Sequence, residues 1–109
     1  MSDVVNVDDD NFEAEVLQSE LPVLVDFSAA WCGPCKRLAP IVEKFASDNG
    51  GKVKVCTVDI DDAPNVAAKL GIRGVPTLMV FNGGTSLGHK VGLISLAEMS
   101  NFVATKIAG

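Results

Sequence analysis

Two cysteines separated by two residues, in Trp31-Cys32-Gly33-Pro34-Cys35, carry the strongest chemical signal in the sequence. One turn of chain at that spacing brings the sulfurs within bonding distance, since a disulfide needs Cα atoms roughly 4.4–6.8 Å apart. The segment follows an apolar run and opens an amphipathic one, so it predicts a strand-to-helix junction. Free N–H groups and the helix dipole at such a junction favour a negative sulfur. Lys36 and Arg37 add positive charge nearby, and Pro34 suits a first helical turn, where its missing N–H costs nothing. The thiolate is the reactive species, and these settings lower a thiol pKa from its free value of ~8.5. The chemistry expected is dithiol–disulfide exchange. Cys32, exposed at the helix mouth, attacks a disulfide in a partner protein. Cys35, deeper in the helix and more covered, resolves the mixed disulfide and leaves Cys32–Cys35 oxidised.

Other uses of the thiols compete with this reading. A structural zinc site wants four ligands, and one Cys-X-X-Cys supplies two. Cys56 and His89 could complete a Cys3His set on paper, but one lies mid-strand, the other lies near a hairpin, and the two lack ligand-pair spacing. A Cys–His hydrolase built on Cys32 and His89 leaves Cys35 unexplained. Cys56, flanked by valines, reads as a buried apolar filler, and His89 reads as a solvent-facing hairpin residue. No metal and no bound cofactor are expected. The sequence has no Gly-X-Gly-X-X-Gly fingerprint, so electrons must come from elsewhere.

Three further residues stand out. Asp26 is an acid inside the apolar run Val23-Leu24-Val25-Asp26-Phe27, where burial should raise its pKa. It is either a working group or a strand-end carboxylate that bonds a loop. Pro76 begins a run at Thr77, as a strand's first residue can. Cis X–Pro bonds are only ~5–6% of the total, so the residues alone predict trans. Trp31 could be core, but beside a nucleophile it reads as an apolar rim for partner chains.

The elements that must hold these residues alternate. Val4–Val7 is a β-branched run. A helix is expected from Asp10 to Gln18, with Asp10 and Glu13 at capping-box spacing. Pro22–Ser28 reads as a strand covered on both faces. A helix follows over Pro34–Ser47, kinked by Pro40 and ended by Gly50-Gly51. Val53–Ile60 is a strand, and Pro64 opens a helix that Gly71 stops. Thr77–Phe81, the turn Asn82-Gly83-Gly84 and Leu87–Val91 form a hairpin. Ser95 and Glu98 predict a capping box for a last helix running to Ile107. Crossovers through helices imply parallel neighbours, and the hairpin adds antiparallel pairing. The expectation is an α/β fold: one domain over residues 1–109, a mixed sheet with helices on both faces.

Composition narrows the classes. The chain has 109 residues, 48% apolar and 21% charged, the profile of a globular protein able to build a core. Nine basic and fourteen acidic residues leave a formal charge of −5. With no basic cluster, neither nucleic acid nor an anionic membrane surface is an expected partner. The opening Met1-Ser2-Asp3-Val4-Val5-Asn6 shows no basic region followed by a long apolar run, so no secretory leader is expected. No apolar stretch approaches the ~20 residues needed to span a bilayer. A reducing, cytoplasmic setting follows, where structural disulfides are rare.

At Trp31-Cys32-Gly33-Pro34-Cys35-Lys36 the chain resembles the thioredoxin family. The resemblance extends through Val25-Asp26-Phe27, Pro40, Val58-Asp59, Gly71-Ile72-Arg73-Gly74-Val75-Pro76-Thr77 and Val91-Gly92, covering essentially the whole sequence. It implies the thioredoxin fold with a five-stranded sheet, and a monomeric general protein-disulfide reductase recharged by a thioredoxin reductase. It implies that Asp26 accepts a proton from Cys35, through water, and that Pro76 is cis and packs on the cysteines. Gly33, Pro34, Lys36 and Pro76 tune the site. Trp31, Gly74, Val75, Pro76, Gly92 and Leu93 form a shallow substrate groove, with Val75 offering backbone hydrogen bonds. Ser28 and Thr57 depart from the commonest pattern, which has a second aromatic and a lysine there, so the tuning of Asp26 differs. The alternative function is a redox-independent subunit or binding module of the same fold, which would not require both cysteines.

Overall fold

Five strands and their covering helices follow the alternation of apolar runs. The computed structural model describes residues 3–109. Met1 and Ser2, which open the segment read for a leader, lie outside the described residues. The strands are β1 (Val4–Val7), β2 (Val23–Ser28), β3 (Lys54–Asp59), β4 (Thr77–Asn82) and β5 (Thr85–Val91). The helices are α1 (Gly33–Asp48), α2 (Pro64–Leu70) and α3 (Leu96–Ala108), with a short π-helix at Glu13–Leu17. Among the described residues no helix is long and apolar enough to cross a membrane.

The sheet order is β1-β3-β2-β4-β5. β1 and β2 flank β3 in parallel, whereas β4 runs antiparallel to both β2 and β5. The hairpin turns on Gly83 and Gly84, at φ 61° and 81°. Two consecutive positive φ angles suit the strand twist and favour glycine.

β2 is central, and its side chains alternate between two cores. Val23, Val25 and Phe27 join Phe12, Val16, Val58, Val66 and Phe81 beneath the π-helix and α2. Phe12 and Phe81 meet edge to face, with centroids 5.8 Å apart. Leu24 joins Leu38, Val42, Phe45, Leu78, Met99 and Val103 beneath α1 and α3. Both faces of the sheet are therefore covered, which is why β2 reads as a continuous apolar run. Asp26 interrupts that run on the α1 side.

The N-terminal helix differs from expectation. Asp10 does not cap it. Asp8 Oδ1 accepts from the N–H groups of Asp10 and Asn11, at 2.9 and 3.2 Å, and Asn11 Oδ1 accepts from Asp8 N–H at 2.7 Å. These local bonds compete with helix formation and delay it. The π-helix covers Glu13–Leu17, with Phe12 already in helical conformation before it, and Gln18 N–H donates five residues back to Glu13 O at 2.9 Å.

Asp9 performs a more distant task. Its carboxylate accepts from Asn65 N–H at 3.2 Å and Val66 N–H at 2.9 Å. It thus satisfies the first turn of α2, whose own N-cap position is Ala63 and cannot do so. Gly71, at φ 68°, closes α2 as expected. α1 continues past Pro40 to Asp48.

The capping box on α3 forms as expected. Glu98 N–H donates to Ser95 Oγ at 3.1 Å, and Ser95 N–H donates to Glu98 Oε1 at 3.2 Å. The bond from the Ser95 backbone, then the one to its side chain, hold the Glu98 carboxyl below its usual range. α3 buries Met99 and Val103 in the second core, so its start matters to the sheet. Ser95→Ala should destabilise the protein by about 1 kcal/mol. Thermal unfolding should record this as a Tm lower by roughly 4–8 °C.

Candidate active site

α1 begins at the paired cysteines, just beyond β2, where a turn closed by Cys32 N–H donating to Ala29 O at 3.1 Å leads into the helix. Cys32 is the N-cap residue, extended at φ −93° and ψ 114°, and Gly33 and Pro34 form the start of the helix. Cys35 N–H donates to Cys32 Sγ at 3.2 Å. A sulfur therefore occupies the place that a serine or aspartate oxygen usually takes in a helix cap. Cys32 and Cys35 are joined in a disulfide, with Cα atoms 5.3 Å apart.

The two sulfur residues are equally covered, at 5% exposure each. Exposure thus does not separate them, against the expectation of an exposed Cys32 and a more covered Cys35. The disulfide turns Cys32 inward onto a small cluster with Ala29, Cys35, Ile60 and Val75. What distinguishes the pair is the directed N–H, which points at Cys32 alone.

The Val75–Pro76 bond is cis, contrary to the trans form that the residues alone predict and in line with the resemblance. The Val75 carbonyl oxygen lies 3.8 Å from Cys32 Sγ. Two hydrogen bonds hold this loop against the sheet. Thr77 Oγ1 donates to Gly74 O at 2.6 Å, and Gly92 N–H donates to Pro76 O at 2.9 Å. The second draws Gly92 and Leu93, just beyond β5, to the edge of the site. Gly74 and Leu93 are exposed, Val75 and Gly92 half-buried, and Pro76 buried.

Trp31 is 69% exposed, so it is rim and not core. Its indole N–H donates to Asp61 Oδ2 at 2.9 Å. Val91 and Leu93, either side of Gly92, are exposed apolar side chains as well. Asp61 and Ile60 were not singled out from the sequence. Their signal was position: both follow β3 directly, at the end of the sheet where the cysteines lie.

Asp26 is 4% exposed and lies in register between Thr57 of β3 and Leu78 of β4. Its Oδ1 is buried with no hydrogen-bond partner among the described residues. Burial raises its pKa from 3.8 to about 7. No hydrogen bond among the described residues joins the carboxylate to Cys35. Thr57 offers it no cation; the Thr57 hydroxyl instead donates to the Asp26 backbone oxygen at 3.3 Å. Ser28, Thr57 and Asp59 border a polar cavity of about 560 Å³ at the same end of the sheet.

Lys36 and Arg37 are exposed on the first turns of α1. Cys56 lies fully buried in the core under the π-helix and α2, away from the pair, and burial pushes its thiol up to about 11. His89 is exposed on β5. The structure does not bring Cys56 and His89 to the paired cysteines.

Comparison with known proteins agrees with this geometry along most of the chain. A family model described as Thioredoxin matches residues 3–105. The protein named Thioredoxin from Pseudomonas aeruginosa is 45% identical over 104 residues, which span 95% of this chain and 96% of that one. Thioredoxin 1 of a Nostoc species is 47% identical over 100 residues, covering 92% and 94%. The Rickettsia felis Thioredoxin is 51% identical over 88 residues, covering 81% and 84%. A match that runs from β1 into α3, cysteine pair included, shows that the chain belongs to the thioredoxin family.

Proposed function

We propose that the protein, a protein-disulfide oxidoreductase, works with Cys32 as its attacking sulfur and Cys35 as its resolving one. The observation that carries this assignment is the Cys35 N–H aimed at Cys32 Sγ at the mouth of α1. A hydrogen bond to the charged form of a group favours that form, and the helix dipole adds to it.

In the reducing direction the Cys32 thiolate attacks one sulfur of a partner disulfide. That bond breaks, a Cys32–partner disulfide forms, and the other partner sulfur leaves as a thiolate that takes a proton. The Cys35 thiol gives its proton to the Asp26 carboxylate through an intervening water, and its sulfur attacks Cys32 Sγ. The second partner thiolate leaves, so the partner gains two electrons and the chain ends as the Cys32–Cys35 disulfide. A carboxyl with pKa about 7 suits this task, because general bases work best near the operating pH.

Trp31, Gly74, Val75, Gly92 and Leu93 line the shallow surface that receives the substrate chain. Gly33, Pro34, Lys36 and Pro76 set the shape and charge around the sulfurs. Electrons return through a thioredoxin reductase, the chain acts as a monomer with no bound cofactor, and its setting is the reducing cytoplasm.

Timed alkylation tests the sulfur assignment. With the reduced protein and limiting iodoacetamide at pH 7, peptide mapping should find Cys32 modified first, with Cys35 and Cys56 lagging by about tenfold or more. Modification of Cys35 ahead of Cys32 would reverse the assigned roles.

A further inference from the structure

Beside the cysteines, on the sheet face that carries α2, the loop after α2 and the β4–β5 hairpin line a solvent-open cavity of about 240 Å³. Its floor comes from alternate residues of the two strands, Thr77 and Met79 on β4 opposite Val91 and His89 on β5. Its wall is the segment 71–74, including Arg73. Arg73 and His89 are both exposed, and neither has a hydrogen-bond or ion-pair partner among the described residues. The cavity is smaller than the roughly 300–1,000 Å³ of small-molecule sites. It suits one side chain, with aliphatic carbons against Met79 and Val91 and a polar end toward Arg73.

Its place relative to the sulfurs gives it meaning. Gly74 lines the cavity, and the next residue, Val75, has its carbonyl 3.8 Å from Cys32 Sγ. An extended substrate chain rises about 3.3 Å per residue. A chain lying along Val75 therefore presents side chains to this cavity two or three residues from its cysteine. An unpaired guanidinium there matches a carboxylate, since its planar fork binds that group in a bidentate manner. By contrast, the carboxylate of Asp61 on the rim is already engaged by the Trp31 indole N–H.

We propose that the cavity between the 71–74 loop and the β4–β5 hairpin is a specificity subsite for an acidic side chain of the disulfide-bearing substrate, held by Arg73 and His89. The proposal rests on the disulfide-exchange reading above. It adds a preference: disulfides with glutamate or aspartate two or three residues from the attacked cysteine react faster than others.

Single-turnover rates test it. The reduced protein is mixed with disulfide peptides carrying Glu, or Gln in its place, at two and three residues on either side of the cysteine. A neutral dipyridyl disulfide reports on the sulfur chemistry alone. At one or more positions the Glu peptide should react about five-fold faster than its Gln twin, the upper end for a solvent-exposed ion pair. Arg73→Gln should bring that ratio close to one, and His89→Gln should reduce it. Lys52→Gln makes the same change in net charge outside this cavity, beyond the C-terminal end of α1, a helix ~24 Å long that starts at the cysteines, and should leave the ratio intact. Because each ratio compares two peptides on one protein, a fraction of unfolded, inactive molecules cancels from it, and an unchanged dipyridyl rate shows that the site itself is intact. Equal Glu and Gln rates at every position, or a ratio that survives Arg73→Gln or falls equally with Lys52→Gln, would overturn the subsite. Failure to reduce even the dipyridyl disulfide would instead sink the exchange reading beneath it.

Discussion

Cys35→Ser will stop turnover while leaving the first chemical step in place. Insulin reduction driven by dithiothreitol should fall by on the order of 10³-fold or more, the scale seen when one member of a cooperating catalytic set is removed. The product should be informative as well. Cys32 still attacks, but no neighbouring thiol exists to displace the partner, so a covalent Cys32–substrate species accumulates. Non-reducing electrophoresis would show it as a band at the summed mass that vanishes on adding reductant. Serine preserves the size of the side chain and the backbone N–H that donates to Cys32 Sγ, so the attacking sulfur keeps its environment. Normal turnover in this variant would remove Cys35 from the mechanism. Loss of turnover with no trapped species would show that the first attack also depends on it.

Asp26→Asn should alter both stability and rate, each with a distinct pH signature. The carboxyl has a pKa of about 7 in the fold against an ordinary 3.8. Between those values the native state holds a proton that the unfolded chain has released. Stability of the oxidised protein therefore falls as pH rises through that window and levels off above it. At 1.36 kcal/mol per pKa unit the whole window is worth ~4 kcal/mol. Asparagine has no such titration. Denaturant unfolding at pH 4, 6 and 8 should show the variant gaining on the parent protein by about that amount from the lowest to the highest pH. The absolute offset between the two reflects the buried amide, whereas the slope reflects the carboxyl. A difference that does not change with pH would mean that Asp26 titrates normally. Resolution of the mixed disulfide near neutral pH should slow by roughly 10²-fold, the lower end for loss of a general base, and its rise through pH 7 should disappear.

The periodic and punctuated parts of this fold were legible from the residues alone. The apolar run of β2, the Gly83-Gly84 turn, the Ser95–Glu98 box and the Gly71 stop each encode a local rule, and each element lies where its rule puts it. The cysteine pair was legible for the same reason, since its chemistry lies within a single helical turn. The N-terminal helix is shorter than its pattern predicts because two local rules compete there. Asp8, Asp9 and Asp10 all look like caps, and only the folded chain shows that Asp8 closes a turn while Asp9 reaches 56 residues onward to Asn65. The cis bond before Pro76 could be anticipated only by resemblance. The pairing of Trp31 with Asp61, and of Arg73 with His89 around one cavity, depends on the crossing of strands and loops far apart in sequence. No window along the chain contains either pair.

The buried third thiol has a practical consequence. Cys56 is fully enclosed, with its pKa pushed up to about 11, and belongs to the core that the π-helix and α2 cover. A reagent in solution can reach it only while that core is open. The rate at which Cys56 takes up a label, once Cys32 and Cys35 are locked as a disulfide, therefore gauges how often that core opens. The protein carries its own internal meter of the opening of that core, readable under fully native conditions without any engineered probe.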